Sequence, residues 1–262
     1  MEAPHCVSRV HDAYVAAGAD VITANSYAVV PFHIGQDRFV AQGPSLADLA
    51  GRLARAAADR SARPVRVAAS LPPVCGSYRA DMFDADAARP VLKTLVAGLR
   101  PHADLWLAET LSAVEEAELV RETLGDDPRP LWLSFTLEDY TAATDGPVLR
   151  SGQSVGEAVA AAARLGAAAV LFNCSQPEVM AAAVEAARGG GGSIAVGVYA
   201  NAFPPQPKDA VANDGLNAIR ADLTPAGYLA FAQSWRSRGA QIVGGCCGIG
   251  PEHIAALRAG LI

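Results

Sequence analysis

The sequence predicts an α/β protein whose parallel strands form a (β/α) barrel. Short apolar segments recur along the chain, and each is followed by an amphipathic segment rich in alanine and leucine. The apolar segments are nearly continuous rather than alternating, which is typical of parallel strands covered on both faces. Seven such strand–helix units in 262 residues favour a barrel over an open sheet. A doubly wound sheet is the alternative, although no G-x-G-x-x-G motif supports its dinucleotide-binding form.

The predicted elements follow one another in regular alternation. The predicted strands cover residues 20–27, 65–71, 104–109, 131–137, 167–174, 193–199 and 240–246. The predicted helices cover residues 4–17, 45–60, 85–99, 113–124, 155–165, 178–188, 225–238 and 251–261. Because a helix precedes the first strand, we expect a (β/α)8 barrel of TIM type that lacks its first strand. The whole chain, residues 1–262, is expected to form this single domain.

Two stretches between these elements are expected to be connectors. The glycine-rich residues 189–192 precede a strand, which is the wrong end for a phosphate cradle, and they indicate a flexible link. Residues 201–223 contain three prolines and are interpreted as either a lid or a semi-rigid surface loop.

Composition restricts the classes of partner. Hydrophobic residues make up 51% of the chain and the net charge is -6, so we expect a large core and no attraction to nucleic acid or anionic lipid. No apolar run approaches the roughly 18 residues of a membrane span, and no secretory signal is visible. The odd, low count of five cysteines argues against a disulfide framework. We therefore expect a cytoplasmic protein with reduced cysteines.

Polar residues collect where the predicted strands end, and in a parallel barrel these ends form the active-site face. Three cysteines belong to this group: Cys174 ends one strand, and Cys246 and Cys247 end the last. Adjacent strand residues face opposite ways, but the glycines at 244, 245 and 248 permit the backbone distortion that turns both sulfurs to one point. Three thiolates with a fourth position open predict a catalytic zinc site. The alternative is that the cysteines only fill the core.

The chain resembles the homocysteine S-methyltransferase family in a series of motifs that occur in order along nearly its whole length. The most specific is Gly-Gly-Cys-Cys-Gly at 244–248, after Gly-Ala-Gln-Ile-Val at 239–243. The others are Ala-Gly-Ala-Asp-Val-Ile-Thr at 17–23, Leu-Pro-Pro at 71–73, Gly-Ser-Tyr at 76–78, Glu-Thr-Leu at 109–111, Ser-Phe-Thr at 134–136, Asn-Cys at 173–174 and Val-Tyr-Ala-Asn at 198–201. Family members begin with a strand that carries an Asp-Gly-Gly motif, which this sequence does not contain before its first helix.

The resemblance implies a (β/α)8 barrel in which Cys174, Cys246 and Cys247 hold zinc and homocysteine's sulfur takes the fourth position. It also implies that Glu109 holds the substrate's amino group. Methyl donors in the family include S-methylmethionine, betaine and methylfolate.

Further roles at the strand ends are predicted from position alone. Asn173 joins Glu109 as a catalytic candidate, and Thr23, Tyr27 and Asn201 are candidates for binding substrate. Packing or satisfaction of loop backbone is the alternative for each.

Together these observations predict zinc-dependent transfer of a methyl group from a small donor, best a sulfonium, to L-homocysteine, giving methionine. One alternative is a zinc-binding barrel with little turnover because its first strand is absent. Another is a metal-free barrel lyase or isomerase. A missing strand would leave two sheet edges open, which a homo-oligomer would cover.

Overall fold

Seven parallel strands form one sheet in the computed structural model, which describes residues 3–139, 146–189, 193–205 and 218–262. The strands are β1 (Val21–Thr23), β2 (Arg66–Leu71), β3 (Leu105–Leu111), β4 (Leu131–Phe135), β5 (Ala169–Asn173), β6 (Ala195–Tyr199) and β7 (Ile242–Val243). Each overlaps one predicted strand, so all seven predicted positions are confirmed. The connector and loop predicted at 189–192 and 201–223 fall largely outside the described residues, at 190–192 and 206–217.

The helices alternate with the strands as predicted. They are α1 (Pro4–Ala16), α2 (Pro31–Ile34), α3 (Gln36–Asp59), α4 (Ala85–Leu99), α5 (Val114–Leu124), α6 (Val155–Arg164), α7 (Pro177–Gly189), α8 (Pro225–Ser237) and α9 (Pro251–Leu261). Among these, α2 was not predicted. Within the described ranges, none of the helices is both long and apolar enough to cross a membrane.

The predicted start of the second long helix at residue 45 is wrong, because α3 begins at Gln36 and contains Pro44. Proline removes one intrahelical hydrogen bond, to the carbonyl four residues earlier. That residue, Val40, is 69% exposed and lies on the solvent-facing side of the helix. The buried face of α3 already starts at Phe39, and this packing stabilises the first turns despite the proline.

The sheet curls and therefore has an inner and an outer face. The strand order follows the chain order, whereas a doubly wound sheet reverses its order at a switch point, so that alternative is excluded. The outer face packs with the helices in one large hydrophobic cluster. A smaller cluster lines the inner face, and its buried members are Ala68, Leu105, Leu107, Trp132, Ala169 and Leu171. The architecture is a parallel barrel-type sheet with its site on the inside.

The two ends of the chain meet at the open side of the curl. Helix α1 contacts both α3 and α9. The Tyr14 hydroxyl donates a hydrogen bond of 2.7 Å to the carbonyl of Ile249, and Arg258 forms an ion pair of 2.9 Å with Asp20. In the described part of the chain β1 and β7 are the edge strands of the sheet and do not pair with each other. The predicted absence of a first strand, the single-domain assignment and the homo-oligomer stay predictions.

Candidate metal centre

A cavity of about 1250 Å³ occupies the inside of the curled sheet. Its wall carries polar and aromatic side chains from the carboxyl ends of the strands and from the loops that follow them. These residues are Thr23, Tyr27, Tyr78, Glu109, Thr110, Cys174, Tyr199, Phe203, Cys246 and Cys247. These groups lie at the carboxyl ends of the strands, as the sequence predicts, while charged residues that include Asp20, Arg66 and Arg258 line the opposite end of the same cavity.

The three cysteines predicted as ligands come together at this end. The sulfur of Cys174 lies 3.1 Å from that of Cys246 and 3.9 Å from that of Cys247, and the last two sulfurs are 3.9 Å apart. Thiolates about 2.3 Å from a tetrahedral metal ion lie about 3.8 Å from one another. Two of the separations match this spacing. Among the described residues, these three form a group able to hold a metal ion.

The backbone around the cysteine pair explains why adjacent sulfurs share one side. Strand β7 ends at Val243, so the pair lies in a loop rather than in a regular strand. A Cβ at Gly245 would lie 2.1 Å from the Cγ2 atom of Ile249, and Gly248 has a φ of +80°. Neither position accommodates an ordinary side chain, so the two glycines permit the tight turn that presents both sulfurs.

The three thiols hold their protons unequally. Hydrogen bonds from Cys174 and Cys246 lower the pKa of Cys247 to about 3. Hydrogen bonds with Cys174 and Cys247, together with burial, raise the pKa of Cys246 well above its ordinary value. The cluster alone therefore concentrates negative charge on one sulfur, and a bound cation would favour three thiolates. Cys174 is buried whereas Cys247 is exposed, so the open side of the cluster is accessible to a further ligand.

Glu109 lies on the cavity wall, where β3 approaches its end. The hydroxyl of Ser70 donates a hydrogen bond to its carboxyl group, and the hydroxyl of Tyr199 donates another of 3.3 Å. Burial is the main reason that the pKa of Glu109 is raised to about 7, and the nearby Cys247 adds to it. A cation arriving at this carboxyl would restore its negative charge, so the geometry suits an ammonium group.

Asn173 is buried and bridges the ends of β3, β4 and β5. Its side-chain oxygen accepts hydrogen bonds from the backbone N–H of Thr110 (3.0 Å) and from the hydroxyl of Ser134 (2.8 Å), and its amide nitrogen donates to the Thr110 hydroxyl (2.9 Å). Thr110 has a φ of 61°, an uncommon conformation for a β-branched residue. The amide therefore fixes a strained residue directly after Glu109. A catalytic role for Asn173 stays a prediction.

The three predicted substrate-binding residues lie in different settings. Thr23 is exposed at the end of β1, on the cavity wall. Tyr27 also lines the cavity, and its hydroxyl lies 2.7 Å from that of Ser77. Asn201 is buried, and its side-chain oxygen accepts a hydrogen bond of 3.2 Å from the backbone N–H of Phe203. All three roles stay predictions, and Asn201 supports its own loop.

Several residues of the site were not assigned a role from the sequence. Tyr78 donates a hydrogen bond of 3.0 Å to the sulfur of Cys174. Burial and the neighbouring cysteines raise its pKa well above the ordinary value, so this hydroxyl keeps its proton. Ser70 and Tyr199 hold Glu109. Ser70 did give a signal, because it is polar whereas the residues on either side of it, from Val67 to Leu71, are apolar.

Comparison with known proteins agrees with this fold and site. The family model for homocysteine S-methyltransferase matches residues 1–261. The homocysteine S-methyltransferase of Escherichia coli (strain K12) is 31% identical over 99% of this chain and 85% of its own length. Selenocysteine Se-methyltransferase of Brassica oleracea var. italica is 27% identical over 100% of this chain and 81% of its own length.

The fold also matches a solved relative. The crystal structure of the homocysteine methyltransferase MmuM from Escherichia coli in its metallated form has a TM-score of 0.75 and 29% sequence identity, covering 99% of this chain and 85% of that one. Because the sequence match extends over nearly the whole chain and the folds agree, the protein belongs to the homocysteine S-methyltransferase family.

Proposed function

We propose that this protein is a zinc-dependent methyltransferase that transfers a methyl group from a small sulfonium donor, such as S-methylmethionine, to the thiol of L-homocysteine and so forms methionine. Membership of the family supports the reaction and the acceptor. The observation that carries the proposal is the convergence of Cys174, Cys246 and Cys247 on the wall of a large internal cavity. A site with three sulfurs and one open side suits a thiol that binds and then reacts.

Zinc fits this donor set. Soft thiolate ligands select zinc over magnesium, calcium or manganese, and two of the three sulfur–sulfur separations, 3.9 Å each, match tetrahedral coordination. MmuM, the solved relative, has been crystallised in a metallated form. When bound, zinc supplies a Lewis-acidic centre that keeps the acceptor's sulfur deprotonated at neutral pH, where a free thiol with a pKa of about 8.5 is mostly protonated.

Glu109 is the group that would bind the acceptor's ammonium. Its buried carboxyl accepts hydrogen bonds from the hydroxyls of Ser70 and Tyr199, and these bonds fix its orientation. An ammonium beside it favours the ionised form and offsets the burial that raises its pKa. Homocysteine would then be held at two points, with its amino group at Glu109 and its sulfur at the cysteine cluster.

The methyl step is a direct displacement at carbon. The acceptor's sulfur forms a bond to the methyl carbon while the carbon–sulfur bond of the donor breaks, and the donor's sulfur keeps the bonding pair and becomes a neutral thioether. The rings of Tyr27, Tyr78 and Phe203 line the cavity and offer π faces that attract a sulfonium cation. Since this donor loses its charge during transfer, exclusion of water from the reacting atoms favours the reaction.

Metal analysis combined with a methionine-formation assay tests the proposal. We expect close to one zinc per chain, methionine from homocysteine with S-methylmethionine or S-adenosylmethionine, and less with betaine. Cys246→Ser should lose zinc and activity together. Cys6→Ser is the matched control, because Cys6 lies on α1 outside the sulfur cluster, and it should keep both.

Two outcomes would favour the alternatives. Stoichiometric zinc without methionine from any donor would indicate a zinc-binding barrel with little turnover. A purified protein that contains no zinc, and whose Cys246→Ser variant keeps an activity, would indicate a metal-free barrel enzyme in which the cysteines pack.

A further inference from the structure

The loop after β2 places a hydrogen-bond donor against one of the three sulfurs. The hydroxyl of Tyr78 lies 3.0 Å from the sulfur of Cys174 and donates to it. The preceding residue, Ser77, is buried, and its hydroxyl lies 2.7 Å from the hydroxyl of Tyr27. Consecutive residues of this loop therefore hold two different partners in the cavity, which fixes the loop against the site.

The backbone at both ends of this contact adopts an uncommon conformation. Tyr78 has a φ of 66° and Cys174 a φ of 53°, in the left-handed region that residues other than glycine seldom occupy. Residues in this region persist where surrounding contacts hold them, and they cluster at functional sites. The hydrogen bond between the two side chains is one such contact.

A buried cation lies over the ring of Tyr78. The guanidinium carbon of Arg150 lies 5.3 Å from the centre of the ring, within range of a cation–π interaction. Arg150 is 1% exposed and forms an ion pair of 3.1 Å with Asp139, whose side chain is fully buried. Asp139 in turn accepts a hydrogen bond of 2.9 Å from the backbone N–H of Gln176, just after Cys174 in the chain. This network connects the Tyr78 ring to the loop that contains Cys174, and so holds the ring in place.

We propose that Tyr78, held by Arg150, is a positioning residue that orients the sulfur of Cys174 for metal binding. Hydrogen bonds to charged acceptors are stronger than neutral ones, so the hydroxyl would hold a metal-bound thiolate in place. A donor to this sulfur would also draw electron density from it. This inference rests on the metal site in the proposed function.

The test is the Tyr78→Phe variant, which keeps the ring and its contact with Arg150 but removes the hydroxyl. Loss of a partner that orients a metal ligand typically costs 10–100-fold in metal affinity, and we expect zinc to bind roughly 10-fold or more weakly. In the cobalt-substituted protein the sulfur-to-metal charge-transfer band should move to lower energy, because the sulfur of Cys174 becomes more electron-rich. A merely structural role for the hydroxyl would not move this band.

Thr123→Val is the control. It likewise removes one hydroxyl, but this hydroxyl donates a hydrogen bond of 2.8 Å to the carbonyl of Leu119 within α5, away from the cavity lining. The control should leave the zinc affinity within twofold and the band in place. Replacing Tyr78 by a fluorotyrosine, whose more acidic phenol is a stronger donor, should move the band the opposite way and does not depend on whether Tyr78→Phe folds.

Two results would overturn the inference. One is a folded Tyr78→Phe protein with unchanged zinc affinity and an unmoved cobalt band. The other is a fluorotyrosine protein whose band does not move. If the unaltered protein itself binds neither zinc nor cobalt, the metal site of the proposed function fails as well, and the unaltered protein alone reveals that failure.

Discussion

Replacing Glu109 by glutamine should make the protein more stable and a poorer enzyme. Burial raises the pKa of this carboxyl from 4.5 to about 7, a change of about 2.5 pKa units. Each unit corresponds to about 1.4 kcal/mol, so the ionised side chain lowers the free energy of unfolding by about 3 kcal/mol above pH 7. Below pH 4.5 the carboxyl is protonated in both the folded and the unfolded state, and this cost is absent. The cost develops as the pH rises from 4.5 through 7.

Glutamine carries no charge and keeps an oxygen for the hydroxyl of Ser70. Relative to the wild type, Glu109→Gln should therefore gain up to about 3 kcal/mol at pH 8, or roughly 6–12 °C in melting temperature, and almost nothing at pH 4. The loss of the proposed buried partner for the acceptor's ammonium costs at least about 2 kcal/mol. We therefore expect KM for homocysteine to rise about 30-fold or more.

Thermal melts at pH 4 and pH 8 and a homocysteine titration of methionine formation measure both effects. In the wild type, kcat/KM should rise with pH up to about 7 as Glu109 ionises, and this rise should be absent in Glu109→Gln.

Glu116→Gln is the matched control. Its carboxyl is equally buried with a pKa of about 7, but it accepts hydrogen bonds from the backbone N–H groups of Ser112 and Ala113 at the start of α5. It should leave KM unchanged. A Glu109→Gln protein with normal KM, or without added stability at pH 8, would refute the reasoning.

Two further substitutions test the backbone around the site. Asn173→Ala leaves the Thr110 N–H without its partner and should lower the free energy of unfolding by about 2–4 kcal/mol, measured by urea titration. Gly245→Ala has no room for its methyl group and should displace the loop of the cysteine pair, so zinc content should fall by more than half in metal analysis. Gly156→Ala is its control, since the added carbon lies 3.7 Å from the nearest atom, and zinc content should stay normal. An Asn173→Ala protein as stable as the wild type, or a Gly245→Ala protein with full zinc, would contradict these arguments.

The strand positions could be predicted from the sequence because burial on both faces demands continuous apolar runs. The strand ends could not. The runs 20–27 and 240–246 shorten to three residues in β1 and two in β7, since their polar and glycine-rich ends leave the sheet to form the cavity wall. The predicted strands were too long where the site begins. The sequence pattern does not distinguish the last residue that is hydrogen-bonded within the sheet from the last apolar residue of the segment.

The sequence predicted site residues at the strand ends but not the contacts between the loops that follow them. The glycine-flanked pair Cys246 and Cys247 is unusual enough to indicate a metal site, and Cys174 followed from its place at a strand end. The contact between Tyr78 and Cys174 joins residues 96 positions apart, in two loops whose meeting depends on the curl of the sheet. Likewise, nothing in the sequence pairs Arg150 with the ring of Tyr78, because that contact exists only after both loops fold over the same strand ends.

Asn173 connects two parts of the site to which different roles are proposed. Its amide holds Thr110, the neighbour of Glu109, while the next residue along the chain is Cys174, a member of the candidate metal cluster. One buried side chain therefore links the proposed ammonium-binding carboxyl to the proposed metal ligand, across the ends of β3 and β5. Displacement of either strand end would strain the same two hydrogen bonds. An acceptor that is held at both its thiol and its ammonium benefits from this rigidity, because small displacements of the reacting atoms reduce the rate strongly.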